Sequence, residues 1–387
     1  MMGTVHTEKE DNQQQTFGIE TDLRITGMCA NVARVLERPR DIEIEAPPES
    51  LSGWFTTWRI SLQVQVDGLL TAVEEYSAAL RAANESVKTP MDNEDGRGFR
   101  IVLVGDSTMR MQAEMMSHLL SSRRMNDGRE QCETRAYGEN VAYARCKGNS
   151  PSSNDQGDIF SMEYVRNWHS CVVDEIDADF VYFGCGLHLL QLIPARSLEQ
   201  PNLDTWVHYE RLLEEAVLFY RSGGVRKDQP AREPIGIAFF TTHSIFDAAL
   251  NGLYATLPRE YRDKDPDLMA ECRETIKNTT ADHPRWLYDE YQPEEICDHG
   301  TFDDTGVVDL NRRAEAVMER LGVGMVRGYD FTRGQSWATA LSDGRHYPYV
   351  IPLELSSFLA EVTASLRRKQ RNIPLRNPDE AESDPGV

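Results

Sequence analysis

Long apolar runs are missing from this chain of 387 residues. No stretch approaches the roughly 18 or more apolar residues that a membrane-spanning helix needs. The first residues, MMGTVHTEKEDNQQQ, carry no apolar signal core. As written, the chain is expected to be soluble, with its compartment unknown. Positive charge is also scarce: 41 Lys and Arg stand against 63 Asp and Glu, a formal charge of −22. A field of that sign repels phosphate backbones and anionic lipid surfaces, so nucleic acid is not an expected partner. CxxC pairs are absent, as are a phosphate-binding loop and a dinucleotide glycine fingerprint. No internal repeat is visible, which argues against a solenoid.

The seven cysteines leave at least one unpaired within the chain. Cys132 with Cys146, and Cys272 with Cys297, are candidate disulfides in an oxidising compartment; buried thiols are the other reading. The sequons Asn84-Glu85-Ser86 and Asn278-Thr279-Thr280 point to the secretory pathway, Golgi lumen or exterior. An upstream signal or anchor outside the chain would reconcile them with its polar start.

What the chain does have is 40% apolar residues, enough for a sizeable core. Residues 1–20 are polar and expected to be disordered. Residues 21–98 form an N-terminal extension whose spacing predicts a helix over 60–83. Short apolar runs predict buried strands at 99–104, 179–184, 234–243 and 323–330. Between and after them lie helical patterns at 108–124, 206–223, 307–322 and 349–370; the second closes on Gly223 and Gly224. Residues 147–158 read as a surface loop, 255–305 as a charged insertion, and 371–387 as a loose acidic tail. The alternation predicts an α/β domain over 99–370, a three-layer sandwich with a mainly parallel central sheet.

The stretch IVLVGDSTMR (101–110) places Ser107 where a buried strand turns into a helix. Ligands of α/β proteins gather at that carboxyl edge. Gly105 permits a tight turn and close approach, and the helix N-terminus favours an oxyanion. A serine hydroxyl there is a candidate nucleophile, although Asp106 and Ser107 are also ordinary helix caps. The base is expected from LSDGRHYPYVIPLELSSF (341–358), in which Asp343 and His346 sit three apart in a glycine-containing turn. A carboxylate on Nδ1 would fix the imidazole tautomer and leave Nε2 to accept a proton. Ser107, Asp343 and His346 are thus the candidate catalytic residues. Acyl transfer of this kind needs neither a metal nor a dissociable cofactor.

Around them stand oxyanion and substrate candidates. Gly184 and Gly186 in VYFGCGLHLLQL could offer backbone N–H groups, and His188 could orient substrate or be a satisfied histidine. Thr241, Thr242 and His243 end the third strand, as acceptor-pocket residues or as turn and cap residues. Arg110 could hold a substrate oxygen or pair with Glu114. The run CDHGTFDD (297–304), with Asp298, His299, Asp303 and Asp304, fits no metal motif and reads as an acidic loop.

These two ends of the chain resemble the SGNH (GDSL-like) hydrolase superfamily and, within it, the PC-esterase group that includes plant trichome-birefringence-like O-acetyltransferases. The group's first block, approximately GDSxxRxQxExxxxLL, is met by Gly105, Asp106, Ser107, Arg110, Gln112, Glu114, Leu119 and Leu120. Its last block, DxxH with a bulky aromatic and proline, is met by Asp343, His346, Tyr347 and Pro348. The resemblance covers about residues 99–365. It implies Ser107 as nucleophile, His346 as base, Asp343 as its orienter, and an acylated carbohydrate or small acyl ester as substrate. The middle departs from the pattern: no asparagine follows the second buried strand, and His188 stands one residue beyond the plant Gly-His spacing. A weak or inactive glycan binder on the same scaffold, and a GDSL-type lipid or thioester hydrolase, are the alternative readings.

Overall fold

A computed structural model describes residues 51–87, 98–123, 131–137, 141–147, 158–167, 171–173, 176–190, 204–224, 236–246, 270, 274, 304–339 and 344–373. The chain order is α1 (Leu51–Val87), β1 (Phe99–Gly105), α2 (Ser107–Ser121), β2 (Cys132–Tyr137), β3 (Val141–Lys147), β4 (Asp158–Arg166), β5 (Phe180–Phe183) and α3 (Leu187–Leu190). Then follow α4 (Asp204–Arg221), β6 (Gly236–Phe240), α5 (Asp304–Leu321), β7 (Gly324–Val326), α6 (Gly328–Thr332), a 3₁₀ turn (Ser336–Ala338) and α7 (Ile351–Arg371). Among the described residues the strands form one sheet in the order β2-β3-β4-β1-β5-β6-β7. β4, β1, β5, β6 and β7 run parallel, while β3 pairs antiparallel with β4 and with β2.

The central strands β1, β5 and β6 are apolar but for Arg100 because both of their faces are covered, and the pleat divides them with a period of two. Ile101 and Leu103 of β1, with Phe180 and Tyr182 of β5, enter a core beneath α1, α2 and α7. Val102 and Val104, with Val181 and Phe183, enter the opposite core beneath α4 and α5. The result is an α/β protein of three layers. The helix expected at 60–83 begins at Leu51 and packs into the first core through Leu62, Val66, Leu69 and Val73.

The glycine-closed helices end as their sequence predicts. After α4, Gly223 N–H donates to Tyr220 O at 3.1 Å and Gly224 N–H to Phe219 O at 3.0 Å, with both glycines at positive φ. Gly322 and Val323 repeat the arrangement after α5, donating to Glu319 O and Met318 O. These paired bonds satisfy carbonyls that the helix end leaves open.

Three strands, β2 to β4, escape the sequence reading. In β4 the signal was present, since Phe160, Met162 and Tyr164 alternate as buried positions along DIFSMEYVR. The strand expected over 323–330 is corrected: it stops at Val326, and Gly328 starts helix α6. A Cβ on Gly328 would lie 2.4 Å from the Phe240 ring and 2.7 Å from Thr241 O, so the chain turns there in close contact with β6. The expected disordered start, the acidic tail beyond 373 and, apart from positions 270, 274, 304 and 305, the insertion over 255–305 lie outside the described residues. Residues 148–157 of the expected surface loop also lie outside them.

Candidate active site

Ser107 is the first residue of α2, at the carboxyl end of the central strand β1. Asp106 is the N-cap; its backbone is extended at φ −87° and ψ −162°, and Oδ1 accepts Thr108 N–H at 2.9 Å. The turn is held from β4 as well. The buried Tyr164 hydroxyl lies 3.0 Å from Gly105 O and 2.9 Å from Asp106 O and shares its one proton between them. Burial first, then the Asp106 charge, holds that phenol above its ordinary range. Asn167 N–H donates to Gly105 O at 2.9 Å. Gly105 is required for a reason the sequence hid. A Cβ there would lie 2.4 Å from Met109 Cγ and 2.7 Å from Gly184 O, so the close approach is to the protein's own chain.

The segment Gly344–Val350 leads into α7 and carries His346. Gly344 has φ +69°, a conformation that glycine adopts without strain, and its carbonyl accepts Phe246 N–H at 2.6 Å. Tyr347 is buried with Trp58, Val350 and Leu353 in a small core of their own, which anchors the segment just after the histidine. His346 Nε2 lies 2.5 Å from Ser107 Oγ. With the imidazole proton on Nδ1, the serine O–H donates to Nε2. Asp343, the expected orienter, lies outside the described residues.

The residues after β6 are held by hydrogen bonds of their own, and Thr242 and His243 also line a small cavity beside Asp106. Thr241 N–H donates to Val326 O at 3.0 Å, and Thr241 Oγ1 accepts Tyr329 N–H at 3.3 Å. Asn311 of α5 clamps Thr242 from both sides: Oδ1 accepts its N–H at 2.9 Å and Nδ2 donates to its carbonyl at 2.8 Å. The His243 side chain is 1% exposed and takes its hydrogen-bond partners within the protein. Its Nε2 bonds Glu354 Oε1 of α7, and its Nδ1 lies 3.4 Å from Arg345 O. Glu354 is fully buried and also accepts from Gln112 Nε2 of α2 at 2.9 Å. Burial works against a charged His243, but the Glu354 carboxylate, and after it Asp106, outweigh burial and hold the imidazole above its ordinary value. The Tyr182 hydroxyl lies beside Gln112 without an aligned hydrogen bond; burial and the Glu354 charge hold it well above the usual phenol range.

The oxyanion candidates separate. Gly184 N–H donates to Val104 O at 2.9 Å as part of the parallel ladder, so its expected role as a donor is corrected. Gly186, at φ +150°, remains at the sheet edge; a Cβ would lie 2.6 Å from Leu310 and 3.2 Å from Thr242 Oγ1. His188 is buried on the one-turn α3, whose Leu187, Leu189 and Leu190 belong to the α4–α5 core. A cavity of about 10 Å3 is lined by residues that include Asp106, Thr108, Gly184, Phe240, Thr242 and His243. Arg110 takes the simpler of its two readings and faces Glu114 at 3.5 Å, by charge rather than by an aligned hydrogen bond. Asp304, from the acidic run, starts α5 and accepts from Ile245 N–H and Tyr329 O–H, each at 3.2 Å. The rest of that run lies outside the described residues.

The described residues hold two disulfides. Cys132–Cys146 joins β2 to β3 in register, as expected. Cys171–Cys185 was not foreseen; it ties the segment before β5 to the Gly184–Gly186 turn. The expected partners Cys272 and Cys297 lie outside the described residues. Sequence reasoning also missed Tyr164, Asn311 and Glu354. Of these, only Glu354 carried a signal: an acid within the apolar run of the last helix.

No family model and no curated protein matches the chain. Five solved chains align with it, among them the following two. One is 12% identical over 70% of this chain and 98% of its own length, with a TM-score of 0.30. The other, a peptidoglycan O-acetylesterase, is 10% identical over 77% of this chain and 96% of its own, with a TM-score of 0.31. An overlap that loose leaves the reading of the site to its own geometry.

Proposed function

We propose that this protein is a serine-dependent acyl-ester hydrolase or O-acyltransferase that works through an acyl-serine on Ser107. The observation that carries the reading is the Ser107 Oγ to His346 Nε2 bond of 2.5 Å at the carboxyl edge of a parallel sheet. In the forward step His346 takes the hydroxyl proton as Oγ attacks the ester carbonyl. Negative charge develops on the carbonyl oxygen beside the start of α2, whose partial positive charge stabilises it. The leaving alcohol takes the proton from His346 and departs. Water, or a hydroxyl of a second substrate, then gives its proton to His346 and attacks the acyl-serine; the acyl–Oγ bond breaks and His346 returns the proton to Ser107 Oγ. Water as acceptor makes the protein an esterase; a glycan hydroxyl makes it an O-acyltransferase.

The acyl group of this proposal is acetyl, and its carrier a carbohydrate. The first and last sequence blocks support that choice through their resemblance to PC-esterase proteins. The two disulfides favour an oxidising compartment. A serine-directed fluorophosphonate tests the reading. Wild type is labelled at Ser107, Ser107→Ala is not, and His346→Ala labels far more slowly. A chain-length series of p-nitrophenyl esters should favour acetyl, and acetylated oligosaccharides should lose or exchange their acetyl groups.

A second reading, a glycan binder without turnover, draws on the engagement of Gly184 N–H within the sheet, which removes one expected oxyanion donor. It predicts a folded, unlabelled wild type that still retains acetylated glycans on a column.

A further inference from the structure

The residues on either side of His346 are held by one segment, the turn that follows β6. Phe246 N–H donates to Gly344 O at 2.6 Å. His243 Nδ1 faces Arg345 O at 3.4 Å. Ser244 Oγ and Tyr347 OH are 3.1 Å apart, and the His243 and Tyr347 rings meet edge to face at 5.4 Å. The carrying segment is itself tied down, because Ser244 N–H donates to Thr332 Oγ1 at 2.8 Å and Asn311 clamps Thr242. Beneath it a continuous polar line runs through the apolar interior from the nucleophile's helix. Gln112 of α2 bonds Glu354 of α7, and Glu354 bonds His243.

A buried carboxylate and imidazole are costly to assemble, and an apolar pair would satisfy packing alone at least as well. Their placement suggests a task. Ser107 and Gln112 share one helix, while His346 follows Arg345 directly. The line Gln112–Glu354–His243–Arg345 O therefore fixes the distance between the helix that bears the nucleophile and the loop that bears the base.

We propose that His243 is a positioning residue, which seats the His346 loop through the Arg345 carbonyl and is itself seated on the Ser107 helix by Glu354 and Gln112. The proposal rests on the acyl-serine reading of Ser107. In this role His243 acts through the Arg345 carbonyl and not on the reacting atoms. With Glu354 accepting from Nε2–H, only the doubly protonated ring can also donate from Nδ1 to Arg345 O. The two ring nitrogens thus do separate jobs: one is anchored and the other carries the loop. A displacement of about 1 Å at a reacting pair can cost on the order of 100-fold in rate.

Two amide substitutions separate these jobs. The amide of His243→Asn falls near the place of Nδ1 and retains a donor for Arg345 O. The amide of His243→Gln reaches the place of Nε2 and satisfies Glu354 alone. Fluorophosphonate labelling rate, kcat and KM on an aryl acetate are measured for both, beside wild type and Ser107→Ala. Each variant cuts the line at one link, so positioning predicts that both lose about 10- to 100-fold in kcat and labelling rate with KM within about twofold. If either variant works at the wild-type rate, the proposal is overturned. Should either variant fail to fold, the double variant His243→Phe/Glu354→Met replaces the pair by apolar side chains. There a wild-type melting temperature with a slow rate supports positioning, and a wild-type rate overturns it. Wild type that is not labelled at Ser107 instead removes the acyl-serine reading, and the proposal with it; the two failures give different patterns.

Discussion

Ser107 Oγ and His346 Nε2 are 2.5 Å apart across a sequence separation of 239 residues. Contact between such distant positions needs a framework on each side. On the serine side it is the β1 edge, the Asp106 cap and the Tyr164 hydroxyl. On the histidine side it is the turn after β6 and the Tyr347 core. The reacting geometry is therefore a property of the sheet edge as a whole.

The pair itself gives the first expectation. Ser107→Ala should lower kcat for an aryl acetate by about 10,000-fold or more, because the acyl-enzyme can no longer form. Ser107 is only partly buried, so unfolding in urea should shift by about 0.5 kcal/mol or less. A matched loss of stability would show that the serine is a structural cap.

Gly105→Ala should destabilise the fold by about 1–3 kcal/mol, the usual cost of overpacking. The added methyl would meet Gly184 O at 2.7 Å, and a backbone carbonyl within a parallel ladder has little room to yield. Urea denaturation reads the stability, and the rate of Ser107 labelling reads the displacement of the turn.

Disulfide mapping by mass spectrometry of unreduced peptides should recover Cys132–Cys146 and Cys171–Cys185. Replacing Cys171 and Cys185 together by serine should cost about 3 kcal/mol, since a loop of their separation, 14 residues, is freed in the unfolded chain. The same change should slow turnover, because the Gly184–Gly186 turn loses its tether.

Stability should depend on pH through His243. Its folded pKa is raised above the ordinary value, so the folded state holds a proton that the unfolded chain releases first. The stabilisation is fully present below about pH 6.5, declines as pH rises from there, and is lost above the raised folded value. Urea unfolding over that window should show a downward slope in wild type that is shallower in Glu354→Gln. Equal slopes would mean that Glu354 does not hold the proton.

Much of the architecture was legible because it follows from local rules. The apolar runs of β1, β5 and β6 announce strands covered on both faces, and Gly223, Gly224 and Gly322 announce helix ends. The edge hairpin was not legible. Arg145 and Lys147 of β3 and Glu133 of β2 are exposed and interrupt any apolar run, because one face of this outer hairpin meets solvent. Ser107 and His346 could be nominated, since a strand-to-helix serine and a histidine in a turn are recognisable one at a time. For His243 both a pocket role and a turn role stayed open: the sequence shows that it follows a strand but not which way its ring turns.

Local pattern alone, then, determined the layered α/β plan, the glycine-closed ends of α4 and α5 and the residue types available for acyl chemistry. Hydrophobic periodicity and capping act within a few residues and need no distant partner. Only the tertiary structure decided that Ser107 meets His346, that Gly184 spends its amide in the ladder, and that Glu354 buries its charge against His243. Each of these depends on a partner far away in the chain, and that partner is chosen by how the packed sheet brings separate strand ends to one edge.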